Sequence, residues 1–359
     1  IVWTCLSNPI REYLIMPELY SCTPRTIRKH IARCLDAGLV PFVQSSPGMG
    51  KSSIGKSIGI EANLEIIDHR LTTSEPTDMS GLARFNDKGY AYYSPFEGLF
   101  PLESTPLPKG KNGWLLILDE FNSAKKDMQA AAYRLILDRE VGQYKLHPNV
   151  YIICLGNLAT DRAIVNNLST AMQSRLIHFV MDVSFTEWLE DVAIKESYDS
   201  RLVAFLSMYP KYLMDFRPDH QDKTFCCPRT WSFMNDLIKD EDIVDEDAPL
   251  FAGTITSGVA VEFIQFNKAI NGLVNVKDVV ADPHSCKLPP NISCLWATTT
   301  HLLEQVNHKN FDPICTYVGR FDMSFRVLFF RSIIIRYPEL KQHPAFIRSL
   351  SEVARYLYS

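Results

Sequence analysis

The chain has 359 residues, 46% of them hydrophobic and 22% charged, and this composition excludes an intrinsically disordered or collagen-like protein. The 37 basic and 41 acidic residues give a formal net charge of −4, so no overall positive charge holds the chain on nucleic acid or on an anionic membrane. At about 100 to 200 residues per domain, the length predicts two or three domains.

The cysteines and the hydropathy of the chain indicate its compartment. The 9 cysteines are scattered and include no CxxC pair, which is typical of buried thiols in a reducing environment, so we expect a cytoplasmic protein. The longest apolar run near the C-terminus, 327–335, is interrupted by Arg331 and is much shorter than the roughly 20 residues of a membrane-spanning helix. We therefore expect no membrane insertion.

Five short apolar runs in the first half of the chain predict β-strands. They span residues 39–44, 64–68, 114–119, 150–155 and 176–181. The segments between them are long enough to contain helices, and such connections predict a mostly parallel sheet with helices on both faces, that is, an α/β fold.

The second half of the chain is predicted to be helical, because strand signals fade after residue 185 and Pro and Gly separate the remaining periodic segments. The predicted helices span 187–195, 201–213, 229–239, 259–269, 293–306, 324–336 and 345–358. The acidic stretch 240–247 lacks the glycine and the ligand spacing of a calcium loop, so we interpret it as a solvated linker.

A candidate phosphate-binding loop follows the first predicted strand directly. Residues 45–52 have the sequence SSPGMGKS, and a glycine-containing loop between a strand and a helix turns backbone N–H groups toward phosphate. In this register Lys51 contacts the β- and γ-phosphates and Ser52 holds Mg²⁺. The literal GxxxxGK[ST] pattern matches residues 50–57 instead, but that register would run a strand through a proline and two glycines, so we interpret Lys56 as a solvated helix residue.

Two polar strand ends complete the candidate site. The strand WLLILDE ends in Asp119 and Glu120. An Asp at the carboxyl end of a buried strand beside a phosphate loop binds Mg²⁺ through water, and an adjacent Glu orients the attacking water. The next strand, YIICLGN, ends at Asn157, whose side chain is placed to hydrogen-bond the γ-phosphate or the water. Together these residues predict a site for a nucleoside triphosphate and Mg²⁺.

With these motifs in this order, the chain resembles the AAA+ ATPases, specifically the MoxR-like group of bacteria and phages, from about Thr23 to the C-terminus. SSPGMGKS resembles the phosphate loop of that group, WLLILDEFNSA its magnesium-binding and catalytic strand, and CLGNLATDR its first sensor. The resemblance implies a P-loop NTPase AAA+ core with a five-stranded parallel sheet, an α-helical lid and an α-helical C-terminal region. The implied boundaries are an extension at 1–22, the core at 23–184, the lid at 185–275 and the C-terminal region at 276–359.

The resemblance also implies which residues bind ATP and Mg²⁺ and which act in hydrolysis. The nucleotide-binding set is Ser46, Pro47, Gly48, Met49, Gly50, Lys51, Ser52, Ser53 and Asp119, with Ser52 and Asp119 at the metal. The catalytic set is Glu120, Asn157, Arg175 and Arg229. The segment SRL resembles the position of an arginine finger that reaches the neighbouring subunit, here Arg175, and CPRTW resembles the second sensor, here Arg229. Arg162 is a second candidate for a contact between subunits, which we interpret as structural, and Ser45 replaces the first glycine of the family loop.

Two β-hairpins are expected as insertions in the core, at 79–96 and 139–149. The first alternates aromatic residues about a turn at 86–89, and in the family such hairpins face the pore or the axial surface of a ring. Local packing is an equally weighted interpretation of its aromatic residues, which are Phe85, Tyr90, Tyr92 and Tyr93.

Three functions are compatible with the sequence. The first is an ATP-hydrolysing ring, expected to be a hexamer with ATP sites completed between subunits, that remodels or activates a protein partner; the resemblance implies a von Willebrand factor A domain protein as that partner. The second is a nucleic-acid motor, which the acidic net charge disfavours, although several lysines lie in or near the insertions: Lys88, Lys109, Lys111 and Lys145. The third is a scaffold that binds ATP without turnover, and the pair Asp119 and Glu120 argues against it.

Overall fold

The computed structural model describes residues 21–161, 165–270, 275–290 and 292–357. Its first part, which we call the α/β part, ends with the strand that precedes residue 182. In chain order it contains β1 (Ser21–Cys22), α1 (Pro24–Asp36), β2 (Val40–Ser45), α2 (Lys51–Glu61), β3 (Glu65–Arg70), α3 (Pro76–Ser80), β4 (Leu82–Phe85), β5 (Ala91–Ser94), β6 (Trp114–Asp119), α4 (Lys126–Leu137), β7 (Glu140–Val141), β8 (Tyr144–Lys145), β9 (Val150–Asn157), α5 (Thr170–Gln173) and β10 (Leu176–Met181).

The main sheet confirms the predicted parallel α/β fold. Within the described residues it has 6 strands in the order β1-β10-β2-β9-β6-β3, and all of its pairs are parallel. The prediction of five strands is wrong by one, because Ser21–Cys22 pairs with β10 at the edge of the sheet. Two residues are too few to produce an apolar pattern, and they lie in the segment that was expected to be an N-terminal extension.

Side chains alternate between the two faces of this sheet, and each face packs on its own helices. Val43, Ile117 and Ile153 share a core with α1 and α2, whereas Phe42 and Leu116 share a core with α4. Strand β6, which lies between β9 and β3, is buried along its whole length. Burial on both faces explains the continuous apolar runs in the sequence. Because β2, β9 and β6 pair in parallel, their carboxyl ends lie at one edge of the sheet.

The second part of the chain, which we call the helical part, contains a π-helical turn among its α-helices. The elements are α6 (Phe185–Trp188), the π-turn (Leu189–Ala193), α7 (Ser200–Met208), α8 (Pro228–Ile238), α9 (Ala248–Ala252), α10 (Ser257–Ile270), α11 (Val276–Ala281), α12 (Ile292–Gln305), α13 (Phe311–Val318), α14 (Met323–Arg336) and α15 (Pro344–Leu357). Trp296 contacts a core built around Phe205 and Trp231 as well as a core built around Phe311 and Phe329, so the two groups of helices are neighbours.

Together, the α/β part and the helices that follow it form an α/β fold with a parallel sheet and a helical C-terminal half, as predicted. Among the described residues, no helix is long and apolar enough to cross a membrane.

The structure also describes two short antiparallel pairs outside the main sheet. β4 pairs with β5, with Phe85 opposite Ala91, and β7 pairs with β8. Gly142, in the turn between β7 and β8, has φ +61°, and a Cβ atom there would come within 2.4 Å of the carbonyl oxygen of Ser80, just before β4. The two segments predicted to be hairpins therefore lie against each other.

Candidate functional site

A cavity of about 720 Å³ lies at the carboxyl edge of the main sheet, where the α/β part meets the helical part. Its wall includes the loop after β2, the ends of β6 and β9, the start of α1, and residues between 183 and 198 and between 228 and 233. In open α/β folds this edge is the usual place for a ligand, because strand ends and helix N-termini meet there.

The loop between β2 and α2 has the geometry of an anion-binding loop. Gly48 has φ +77° and Gly50 has φ +85°, a left-handed conformation that favours glycine. Gly50 is the N-cap of α2, and within the described residues no side chain caps the N–H groups of the first turn, so they are available to an anion. Gly48 also has no room for a side chain, because a Cβ atom there would lie 2.3 Å from Sγ of Cys227 in the helical part.

Lys51 lies along this loop. Its Nζ atom donates hydrogen bonds to the carbonyl oxygens of Ser45 (3.0 Å) and Ser46 (3.2 Å) and lies 3.4 Å from Oδ1 of Asn157. Burial lowers the pKa of Lys51 to about 8, and the negative charge of Asp119 opposes this effect. A bound anion would favour the charged form of the lysine, so the site and a phosphate ligand are electrostatically complementary.

Ser52 and Asp119 together provide oxygen atoms suited to Mg²⁺. The Ser52 hydroxyl donates a hydrogen bond to Oδ2 of Asp119 at 2.7 Å, and Asp119 is buried, with 7% of its surface exposed. Among the described residues there is no group of three or more His, Cys, Asp or Glu that could hold a metal ion. Mg²⁺ bound with a nucleotide needs only one or two protein oxygens besides phosphates and water, so this pair fits the ion.

Glu120 follows Asp119 in a left-handed backbone conformation, with φ +55°, directly after the end of β6. Its carboxylate accepts a hydrogen bond from the Thr72 hydroxyl and lies 3.6 Å from Nε of Arg70, at the end of β3. Glu120 also lines the cavity. The carboxylate is thus in the site but paired with residues at the end of the neighbouring strand.

Asn157, at the end of β9, is fixed through its backbone. The side-chain amide of Asn122 donates to the Asn157 carbonyl oxygen at 2.7 Å and accepts from the Asn157 N–H at 3.0 Å. The sequence pattern does not single out Asn122, because an Asn shortly after a strand is an ordinary turn residue. Only its burial, with 2% of its surface exposed, and its two bonds to another strand single it out.

The predicted arginines occupy different places. Arg229 is exposed and lines the cavity, and its backbone N–H donates to the Gly48 carbonyl oxygen at 3.1 Å. The described residues that line the cavity do not include Arg175, which is exposed and lies over the Tyr133 ring at 5.2 Å. Arg162 lies outside the described residues.

Most of the other predicted binding residues lie in the cavity wall. The predicted residues in the wall are Pro47, Gly48, Met49, Gly50, Lys51, Ser52, Ser53, Asp119, Glu120, Asn157 and Arg229. Ser46 contributes its carbonyl oxygen to Lys51. Lys56, the lysine of the alternative register, lies within α2 and forms an ion pair with Asp68 at 2.7 Å.

A group of charged residues that the sequence motifs did not indicate adjoins the cavity, whose wall includes Arg25 and Asp191. Arg25 of α1 pairs with Glu190 at 2.8 Å and with Asp191 at 2.5 Å, and both acids lie on the π-turn. Arg331 of α14 pairs with the second oxygen of Glu190 at 2.7 Å. The partners are far apart in the sequence, so no local pattern could have found them. π-turns of this kind often occur at functional sites.

No protein-family model and no curated protein sequence matches the chain. Among solved structures, a provisionally named ATPase of Cytophaga hutchinsonii is similar, with 11% identity, a TM-score of 0.35, and coverage of 92% of this chain and 88% of that chain. The RuvB Holliday junction branch migration motor of Thermotoga maritima is similar with 14% identity, a TM-score of 0.35, and coverage of 72% of this chain and 80% of that chain. A point mutant of that RuvB is similar with 14% identity, a TM-score of 0.36, and coverage of 79% of this chain and 84% of that chain.

Proposed function

We propose that the protein is a magnesium-dependent ATPase of the AAA+ class. One observation carries the proposal: Lys51, Ser52, the acids at the end of β6, and Asn157 come from separate segments and meet in one cavity beside an uncapped helix N-terminus. A phosphate loop, a hydroxyl beside a buried carboxylate, and a second carboxylate are the groups that phosphoryl transfer to water requires.

Each group has a distinct role in this proposal. The N–H groups at the start of α2 and the Lys51 ammonium group bind the phosphates of ATP, and Ser52 and Asp119 hold Mg²⁺. Mg²⁺, when bound, neutralises charge on the phosphates. Glu120 accepts a proton from the water that attacks the γ-phosphorus, while the bond from that phosphorus to the bridging oxygen breaks and ADP leaves. Asn157 orients the water or the γ-phosphate.

Arg229 and Arg175 are proposed to act on different copies of the chain. Arg229 lines its own cavity, which supports a role as the second sensor. Arg175 is exposed and lies outside the lining of its own cavity among the described residues, which supports a contact with the ATP of a neighbouring subunit in a ring, expected to be a hexamer. Since an arginine supplied from outside raises turnover by about 10³ to 10⁵, an isolated subunit would hydrolyse ATP slowly.

For the client of this ATPase we propose a protein that the ring remodels or activates, as in the MoxR-like group, with a von Willebrand factor A domain protein as the candidate partner. The first hairpin supports this choice: Phe85 is 74% exposed and Tyr90 is 70% exposed, and exposed aromatic groups are typical of protein contacts. Lys88, in the turn between them, is also exposed. Because an exposed lysine can contact a phosphate backbone, nucleic acid is the alternative client to be tested. Stimulation of ATP turnover by DNA, lost at high salt, would favour that alternative.

Hydrolysis of ATP by the purified chain tests the proposal. We expect Mg²⁺-dependent turnover that disappears in Glu120→Gln, while Glu120→Gln still binds a fluorescent ATP analogue. Lys51→Ala should lose binding, whereas Lys56→Ala, the matched control from the alternative register, should bind ATP like the wild type. A wild-type chain that binds no adenine nucleotide in the presence of Mg²⁺ contradicts the proposal, and binding without turnover favours a scaffold.

A further inference from the structure

We propose that Asn122 is a positioning residue for ATP hydrolysis, whose side-chain amide holds Asn157 in place relative to the acidic end of β6. This inference rests on the proposed ATPase function and concerns a residue for which the sequence motifs supply no role. It follows from the way the neighbouring strands β6 and β9 end.

β6 and β9 pair only up to Leu118 and Cys154, although β9 continues to Asn157. After Asp119 the chain leaves the sheet at Glu120, whose left-handed backbone starts a 3₁₀ turn at Phe121–Ser123. The backbone groups of Asn157 on that side therefore have no partner in β6. Unpaired backbone groups in a buried place are costly, so another group must satisfy them.

The side chain of Asn122 takes the place of the missing strand. Its amide offers one acceptor to the Asn157 N–H, at 3.0 Å, and one donor to the Asn157 carbonyl oxygen, at 2.7 Å. A primary amide is the side-chain group that reproduces the donor and acceptor of a peptide unit. An aspartate at this position could not donate while ionised, and a glutamine would be longer by one methylene group.

The site leaves little freedom for this amide. Asn122 is buried, with 2% of its surface exposed. A Cβ atom on Gly156 would lie 2.3 Å from Oδ1 of Asn122 and 2.8 Å from the Phe42 ring, so β9 can approach Asn122 this closely only with glycine at that position. The amide and the strand are thus in fixed contact.

What this contact fixes is the geometry of the reacting groups. The Asn157 side chain lies 3.4 Å from Nζ of Lys51, and its amide nitrogen lies 3.4 Å from the Ser123 hydroxyl. Asn122 itself is two residues after Glu120. The same amide therefore contributes to the distance between the proposed water-activating carboxylate and the proposed sensor, and a misplacement of about 1 Å in such a pair lowers the rate by about 10²-fold.

The backbone around Asn122 also forms hydrogen bonds with the segment that precedes α5. The Asn122 carbonyl oxygen accepts a hydrogen bond from the N–H of Asn166 at 2.7 Å, and the Asn166 side chain donates to the Ala124 carbonyl oxygen at 2.8 Å. Residue 166 precedes α5 and Arg175. The turn after β6 therefore contacts the segment that leads to the proposed arginine finger.

The substitution Asn122→Asp tests the proposal, because it keeps the shape of the side chain and replaces the donating NH₂ group by an oxygen. At pH 8 we expect kcat to fall about 10- to 100-fold with KM for ATP within about threefold of the wild type. At pH 6 the buried acid is expected to be protonated and to donate again, so the ratio of variant to wild-type kcat should rise at least about fivefold. The other charged groups around this end of the sheet are the same in the variant and the wild type, so the ratio isolates the effect of residue 122; they are Lys51, Asp119, Glu120, Asp161 and Arg229.

Asn267→Asp is the matched control. Asn267 in α10 is 4% exposed and its side chain donates to the Phe263 carbonyl oxygen at 2.8 Å, so the same substitution removes the same kind of buried bond away from the cavity. We expect its kcat to stay within about twofold of the wild type per folded molecule, with no change of the ratio between pH 6 and pH 8.

Gly156→Ala provides a second route that leaves Asn122 itself intact and carries the test if Asn122→Asp does not fold. Gly156→Ala should displace the amide and lower kcat with little change in KM. The double variant, Asn122→Asp with Gly156→Ala, should have a kcat within about threefold of that of the more affected single variant. Independent, additive losses would overturn the role of Asn122.

The proposal is also overturned by an Asn122→Asp kcat within twofold of the wild type at pH 8, by a defect confined to KM, or by an equal defect in Asn267→Asp. These outcomes require a wild type that hydrolyses ATP. A wild type without turnover contradicts the proposed function instead, so the two failures are distinguishable.

Discussion

Proton uptake on nucleotide binding is the sharpest consequence of the position of Lys51. Burial lowers the pKa of this lysine to about 8 in the nucleotide-free site, so at pH 8 about half of the molecules carry the charged form. Phosphate oxygens around the ammonium group would restore the pKa to its ordinary range near 10.4, and binding must then take up the missing proton.

The expected size follows from the two pKa values. Binding should take up about 0.1 proton at pH 7, about 0.5 at pH 8 and about 0.9 at pH 9. Because the bound state favours the charged lysine, affinity is highest below pH 8 and is lost as pH rises through 8, by about tenfold between pH 7 and pH 9. The γ-phosphate is already ionised in the upper half of this range, so it contributes little to the pH dependence there.

Titration calorimetry in two buffers of different ionisation enthalpy at pH 7, 8 and 9 measures the uptake directly. Lys51→Arg is the matched control, because arginine keeps its charge over this range and should take up almost no proton. Uptake below about 0.1 proton at pH 8 and pH 9, or equal uptake in Lys51→Arg, would show that Lys51 is not the group whose charge the nucleotide stabilises.

Three further predictions concern other contacts of the cavity. In chemical denaturation, Gly48→Ala should lower the free energy of unfolding by about 1 to 3 kcal/mol more than Gly89→Ala does. Both glycines have positive φ, but only Gly48 has no room for a Cβ atom, so equal losses would contradict this prediction. Arg70→Ala should raise steady-state kcat by up to about fivefold, because it releases Glu120 from a largely exposed ion pair worth at most about 1 kcal/mol, and a fall in kcat would show that the pair aids catalysis. Glu190→Gln should lower the free energy of unfolding by about 1 to 3 kcal/mol, seen as a lower melting temperature, because it weakens the ion pairs with two arginines. An unchanged melting curve would show that these ion pairs have no role in stability.

The sequence was sufficient to predict the central sheet. Buried parallel strands give continuous apolar runs, so the segments around Phe42, Ile117 and Ile153 could be recognised without tertiary information. The register of the proposed phosphate loop could also be chosen from the poor strand compatibility of proline and glycine, and in the structure β2 ends at Ser45 and α2 begins at Lys51.

Other features could not be predicted because they depend on contacts between distant residues. The edge strand Ser21–Cys22 exists through its pairing with β10, and two residues carry no periodic signal of their own. The short helices α11 and α13 are similarly too brief for a clear period. Within the site, the pairing of Glu120 with Arg70 and the bonds of Asn122 to β9 join segments that are far apart in sequence.

The carboxylate of Glu190 joins three regions of the molecule at a single point. One oxygen binds an arginine from the first helix of the α/β part, and the other binds an arginine from α14, near the C-terminus. The residue itself lies on the π-turn that borders the cavity. A rotation of that turn therefore changes the ion pairs on both sides together, so the C-terminal helices are directly linked to the cavity wall without the sheet as an intermediary.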